Sequence, residues 1–242
     1  MYTRTNINQQ NNMAKSITPL MHLLQFTDSA FPVGTFSFSN GLETAAYEGI
    51  VHDAQTLEDY ARSVALQAAY SDGITALQAY RAARTKDYDA LAGADRQLML
   101  FKMNEEARLM LRRMGKKLAE LSVHIFDEPL IRQWLEDIRA ERTPGTYPVA
   151  QALVFSAAGL TEEDLFCSHQ YGVVNMVLSA ALRCVKVSHY DTQRILFKLS
   201  KQSEELYEEV RQLTFNDMNA FVPQIDILAS LHEKGNMRMF MN

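Results

Sequence analysis

Only two cysteines occur in the 242 residues, Cys167 and Cys184, and no CxxC pair. A disulfide framework is therefore excluded, and a reducing, cytoplasmic setting is expected. The motifs that announce catalysis are absent too. There is no phosphate-cradling loop ending in Gly-Lys-Ser/Thr, no GxSxG elbow and no HExxH. The six histidines, at 22, 52, 124, 169, 189 and 232, have no metal-ligand spacing. Cys167 and His169 are two residues apart, so on a helix they point roughly 200° away from each other and are expected to pack rather than ligate. No catalytic residue, no metal site and no cofactor are expected. The net charge of −5 argues against electrostatic nucleic-acid binding. Two stretches without charge, 143–161 and 165–182, hold Pro, Gln, Asn, His and Ser. They suit a buried helix pair rather than membrane spans. The first 16 residues are polar, with no apolar core of a signal peptide, and are expected to be disordered.

No run alternates polar and apolar residues as a strand would; helical periodicity dominates. Leu20, Leu23, Leu24 and Phe26 mark a short first helix. Leu57, Tyr60, Ala61 and Val64 mark a second, started by Asp53 or Thr56 and separated by Gly73 from 74–84. The spacing predicts one long helix over 95–122. Pro129 opens another, carrying Trp134. The uncharged 147–159 helix follows a Thr143-Pro144-Gly145 turn. Thr161 caps the next helix, with acids in its first turn, and 191–201 and 203–213 come after. These elements predict an all-α, single-domain bundle of about ten helices over 17–215, with a disordered segment 1–16 and a tail 216–242 ordered by a partner.

Two segments carry apolar surface in unexpected places. In 31–43 the helix breakers Pro32, Gly34 and Gly41 surround Phe31, Phe36 and Phe38. A loop with three aromatics either folds onto its own core or meets a partner. Phe36 and Phe38 share one side of an extended segment, and Asn40 with Glu43 reads as a capping box. Here the interface reading is taken, with Phe36, Phe38, Ser39, Gly41 and Glu43 as contact residues. At the other end, Pro223 opens an amphipathic segment and Met237, Met239, Phe240 and Met241 crowd the terminus around Arg238. Soft apolar side chains at a chain end either dock on the body or wait for a partner. Arg108, Arg112 and Lys116 form a basic stripe at four-residue spacing, either a solvated face or a docking surface for an acidic partner. Glu204, Glu205, Glu208 and Glu209 read as a solvated face.

The stretch DSAFPVGTFSFSNGLE, from Asp28 to Glu43, together with Leu24-Gln25 before it, resembles the signature of the urease accessory protein UreF family. Where that family carries a His after the first Ser or Thr of the loop, this chain has Phe38, so a role for that imidazole does not carry over. Arg108 with Gly115-Lys116, Tyr147-Pro148-Val149-Ala150, Ala157-Ala158-Gly159-Leu160 and Tyr171 also match. So do Arg183, Val185, Asp191 and Gln193, with Lys186 and Thr192 departing from the pattern. In the tail, Asp226-Ile227, His232-Glu233 and Arg238-Met239-Phe240 match.

The resemblance implies an all-α, homodimeric, non-enzymatic protein without a cofactor. It would sit between UreD (also called UreH) and the GTPase UreG, in the complex that activates apo-urease by supporting lysine carbamylation and nickel insertion. It implies that the tail residues Asp226, His232, Glu233, Arg238, Met239 and Phe240 meet UreD/UreH. The aromatic loop and Tyr171 are assigned to the dimer or UreG-facing surface, and Arg108 and Lys116 to partner docking. A helical metal-dependent hydrolase and a generic helical scaffold remain the alternatives.

Overall fold

Two helices that are apolar on nearly every side organise the molecule. In α8 (Tyr147–Ala157) every residue from Pro148 to Phe155 is buried, and α9 (Glu162–Cys184) runs through the middle of the fold. The structure, a computed structural model, describes residues 17–34, 38–219, 222–233 and 239–240, with the Glu233 side chain excepted. The other elements are α1 (Ile17–Thr27), α2 (Leu42–Tyr47), α3 (Ala54–Ala68), α4 (Ile74–Thr85), α5 (Tyr88–Leu100), α6 (Glu105–Ser122), α7 (Pro129–Arg139), α10 (His189–Ser200), α11 (Ser203–Val210) and α12 (Pro223–Glu233). Twelve α-helices and no strand are thus present among the described residues, an all-α single domain.

α4 and α6 sandwich α8 around a core that includes Trp134 and Phe155. A second apolar cluster joins α2, α3, α9, α10 and α12. A third gathers Leu98, Phe166 and Tyr207.

Local chemistry sets most helix starts. Asp53 caps α3 in a reciprocal box with Thr56, and Thr161 with Asp164 and Ser188 with Asp191 do the same for α9 and α10.

Four expectations are corrected. The single helix over 95–122 is two, because Asn104 leaves helical geometry (φ −111°, ψ 152°) and its side chain accepts the Ala107 N–H to start α6. Gly73 does not separate helices: a π-helical stretch, Ala69–Gly73, carries α3 into α4. The glycine makes room for the Phe166 ring, 3.1 Å from where a Cβ would stand. No capping box forms at Asn40. Asn40 (φ 54°) and Gly41 (φ 76°) both turn left-handed, with no side-chain cap at the start of α2. Finally, Phe38, expected to face a partner, is 3% exposed and packs in the core with Phe26 and Val33. Phe38→Ala is therefore expected to lower folding stability by about 3–5 kcal/mol, read as the shift of the urea midpoint. An unchanged midpoint would return Phe38 to the surface.

The segment 1–16 and residues Phe36, Met237, Arg238 and Met241 lie outside the described residues.

Candidate functional site

Gly41 is where α2 and α12 meet most closely. A Cβ there would lie 3.1 Å from the Ala229 backbone nitrogen and 3.1 Å from the Tyr60 hydroxyl. Positive φ and close approach both demand glycine. The Tyr60 hydroxyl donates to the Asn40 carbonyl at 2.6 Å, fixing the turn from α3. Burial raises the pKa of that hydroxyl, with Cys184 and Asp226 adding to the effect.

The left-handed pair at Asn40 and Gly41 aims Glu43 away from its own helix and towards the chain terminus. The Met239 N–H donates to Glu43 Oε1 at 2.7 Å, and the Phe240 N–H to Oε2 at 3.1 Å. His232 Nε2 lies 2.8 Å from Glu43 Oε2, and its Nδ1 lies 3.0 Å from Glu106 Oε2 on α6. The three side chains are nearly out of solvent: 3% exposed for His232, 8% for Glu106 and 16% for Glu43. The imidazole faces one carboxylate through each of its ring nitrogens. α2, α6 and α12 are thereby tied through a single buried ring. Phe240 seals the arrangement: it is buried, and the Arg183 guanidinium carbon lies 4.0 Å from its ring centroid.

Burial pushes the Glu43 carboxyl up. The Met239 amide, His232 and the Phe240 amide outweigh it, so Glu43 titrates below the usual carboxylate range. A depressed carboxyl stabilises the docked tail at every pH above the ordinary glutamate value, and that contribution disappears as pH falls through the depressed one. The Phe240 amide resonance is therefore expected to hold its docked position at every pH above the ordinary glutamate value of about 4.3 and to leave it only as pH falls below that value. In Glu43→Gln the acid transition should vanish. A wild-type resonance unchanged to pH 3 would dissociate Glu43 from tail docking.

The remaining sequence-derived site residues are distributed around this cluster. Ser39 is fully buried. Asp226 accepts amide hydrogens from Gln67 at 3.3 Å and Asn104 at 3.1 Å. Arg108 is half-buried and donates through Nε to the Lys102 carbonyl at 2.8 Å, closing the α5–α6 turn. Lys116 is exposed on α6, and Tyr171 is 39% exposed on α9. Met239 is 57% exposed. Phe36, Arg238 and the Glu233 side chain lie outside the described residues.

Three participants escaped the sequence reading: Glu106, Tyr60 and the full role of Arg183. Glu106 had a signal, since it stands four and eight residues before Met110 and Met114 on a largely apolar helix face, where a carboxylate needs a partner.

The arrangement fastens one element to others. His232 has both nitrogens engaged. Burial raises the Cys184 thiol to about 11, and burial likewise raises that of Cys167, so neither is an activated nucleophile. Among the described residues no three His, Cys, Asp or Glu side chains converge to hold a metal ion. Among them, too, no helix is long and apolar enough to cross a membrane.

The family model for UreF matches residues 51–200. The urease accessory protein UreF 2 of Brucella canis is 48% identical over 236 residues, covering 98% of this chain and 97% of that protein. UreF 1 of Brucella melitensis is 48% identical over 236 residues, 98% of each chain. The urease accessory protein UreF of Yersinia pseudotuberculosis is 45% identical over 223 residues, 92% of this chain and 98% of that one.

Proposed function

Because the chain belongs to the urease accessory protein UreF family, we propose that it acts in urease maturation as a non-enzymatic cytoplasmic scaffold. It bridges UreD (UreH) and the GTPase UreG in the complex that loads nickel and carbamylates the active-site lysine of apo-urease, and it modulates the GTP cycle. It works as a homodimer.

The observation that carries this reading is the two-sided character of α12 and the tail. Ile225, Leu228, His232 and Phe240 are buried against the body, while Ile227, Leu231 and Met239 are 57%, 49% and 57% exposed. An element anchored on one side by a buried histidine–carboxylate cluster and apolar on the other is built to receive a second protein. The anchored side sets the position of the exposed side, so UreD/UreH would meet a preorganised surface. Tyr171, with Phe36 of the aromatic loop, serves the dimer or UreG side; Lys116 offers a cation to an acidic partner surface.

The test is a pull-down of UreD/UreH by Ile227→Asp and Leu231→Asp variants alongside circular dichroism melts. Binding is expected to fall at least tenfold with melts unchanged, since a charge in an apolar interface core is left unpaired. Undiminished capture by both variants would overturn the assignment of this face.

A further inference from the structure

Beneath α12 lies a cavity of about 110 Å3, room for three to four water volumes at about 30 Å3 each. Its wall is apolar on the side of Val64, Leu111 and Met176 and polar where Asp72, Lys102, His169 and Asp226 line it. Asp72 and Lys102 pair with each other. Burial alone would raise the Asp72 carboxyl, but the Lys102 ammonium holds it below the usual range. That pair is internally neutral.

The other two groups are less fully paired. His169 is 4% exposed. Its Nδ1 lies 2.8 Å from Gln151 Oε1, a contact that places the proton on Nδ1. Its Nε2 is buried without a hydrogen-bond partner, and burial keeps the ring neutral by lowering its pKa. A lone pair is thus left without a donor. Asp226 receives only neutral amide donors, from Gln67 and Asn104. Burial raises its carboxyl on balance, outweighing the two amides and the Lys102 ammonium, and the charged side chains lining the cavity, Asp72, Asp226 and Lys102, leave one negative charge in excess.

A buried acceptor without a donor and a half-buried carboxylate hydrogen-bonded only by amides ask for the same thing. We propose that this cavity binds a compact cation bearing N–H donors, of about four heavy atoms or fewer, between His169 Nε2 and the Asp226 carboxylate. Ammonium, methylammonium and guanidinium are the members of that class that the volume admits. The donors satisfy Nε2 and the charge compensates Asp226. A transition-metal ion fits less well, because no three ligating side chains converge here among the described residues.

The probe is the full-length protein with its histidine side chains labelled with 15N. Ammonium, methylammonium or guanidinium chloride is titrated against sodium chloride and tetramethylammonium chloride at matched ionic strength. A saturable shift of the His169 Nε2 resonance is expected with at least one N–H-bearing cation. Sodium, and tetramethylammonium, which has no N–H, should give none. Asp226→Asn, which keeps the shape of the side chain, should weaken binding at least tenfold with an unchanged dichroism spectrum. Three results would overturn the proposal: indistinguishable responses to all five salts, as for a cavity holding water alone; undiminished binding by Asp226→Asn; or saturation by nickel that excludes ammonium. If Asp226→Asn fails to fold, Gln67→Leu with Asn104→Leu removes the amides that hold the carboxylate. Ammonium binding unaltered in that variant counts against the site.

Discussion

His232→Ala is expected to cost about 3–5 kcal/mol of folding stability, the range for breaking a buried ion pair by removing one partner. The ring stands 2.8 Å from Glu43 Oε2 and 3.0 Å from Glu106 Oε2, so its loss leaves two carboxylates facing each other across a dry gap. Both would have to take up a proton, admit water or move apart. Moving apart separates α12 from α2 and α6, and the Met239 and Phe240 amides then lose Glu43. The signature is therefore double: a lower urea midpoint and a Phe240 amide resonance that leaves its docked position. A second substitution separates the electrostatic cost from simple loss of packing. Glu106→Gln in the His232→Ala background removes one of the stranded charges, and about 1 kcal/mol or more should return. If His232→Ala unfolds at the wild-type midpoint, the imidazole does not hold these helices together.

Where the fold was legible in the sequence, it was legible for local reasons. Asp53 and Thr161 start helices because an oxygen at the first position reaches an N–H two or three residues on, and that geometry is written in consecutive residues. The uncharged runs became α8 and most of α9 because they carry no charge that burial would strand. The misses are non-local. Asp95 looks like one more charge on a long helix, yet it is fully buried and accepts from Thr143, Gly145 and Thr146 about fifty positions away. Glu43 fits a capping box by spacing, but its partners lie almost two hundred residues downstream. Spacing states which local bond is possible; it is silent on a distant partner that competes for the same carboxylate. The reading of Phe38 failed in the same way: it is core because Val33 and Phe26 pack with it. The tail was half legible, since its apolar residues marked it as a contact element, while the His232 pivot that positions it needed three dimensions.

Gly115→Ala adds one methyl and is expected to damage the fold about as much as a core truncation. A Cβ on Gly115 would lie 2.1 Å from the Gly145 carbonyl oxygen, 2.6 Å from the Thr146 carbonyl carbon and 2.8 Å from the Thr146 oxygen. All three atoms are backbone, so no rotamer change relieves the overlap; either α6 or the 143–146 turn must retreat. The turn is not free to do so. Asp95 accepts the Gly145 N–H at 2.7 Å, the Thr146 N–H at 2.8 Å and the hydroxyls of Thr143 and Thr146 at 2.7 and 2.5 Å. Gly145 itself sits at φ 79° against the Ile138 side chain. Retreat would therefore strain bonds to a buried carboxylate at the start of α8, the centre of the core. Overpacking of this kind costs about 3 kcal/mol, a fall in Tm of roughly 6–12 °C for a domain of this size. Gly93→Ala is the control: it lies inside α5 with nothing within 4 Å of an added Cβ, so alanine's better helix propensity should leave Tm unchanged or raise it slightly. Differential scanning calorimetry of the two variants separates a general effect of removing a helical glycine from the steric one. If Gly115→Ala melts with the wild type, α6 does not approach the 143–146 turn closely enough to require a glycine.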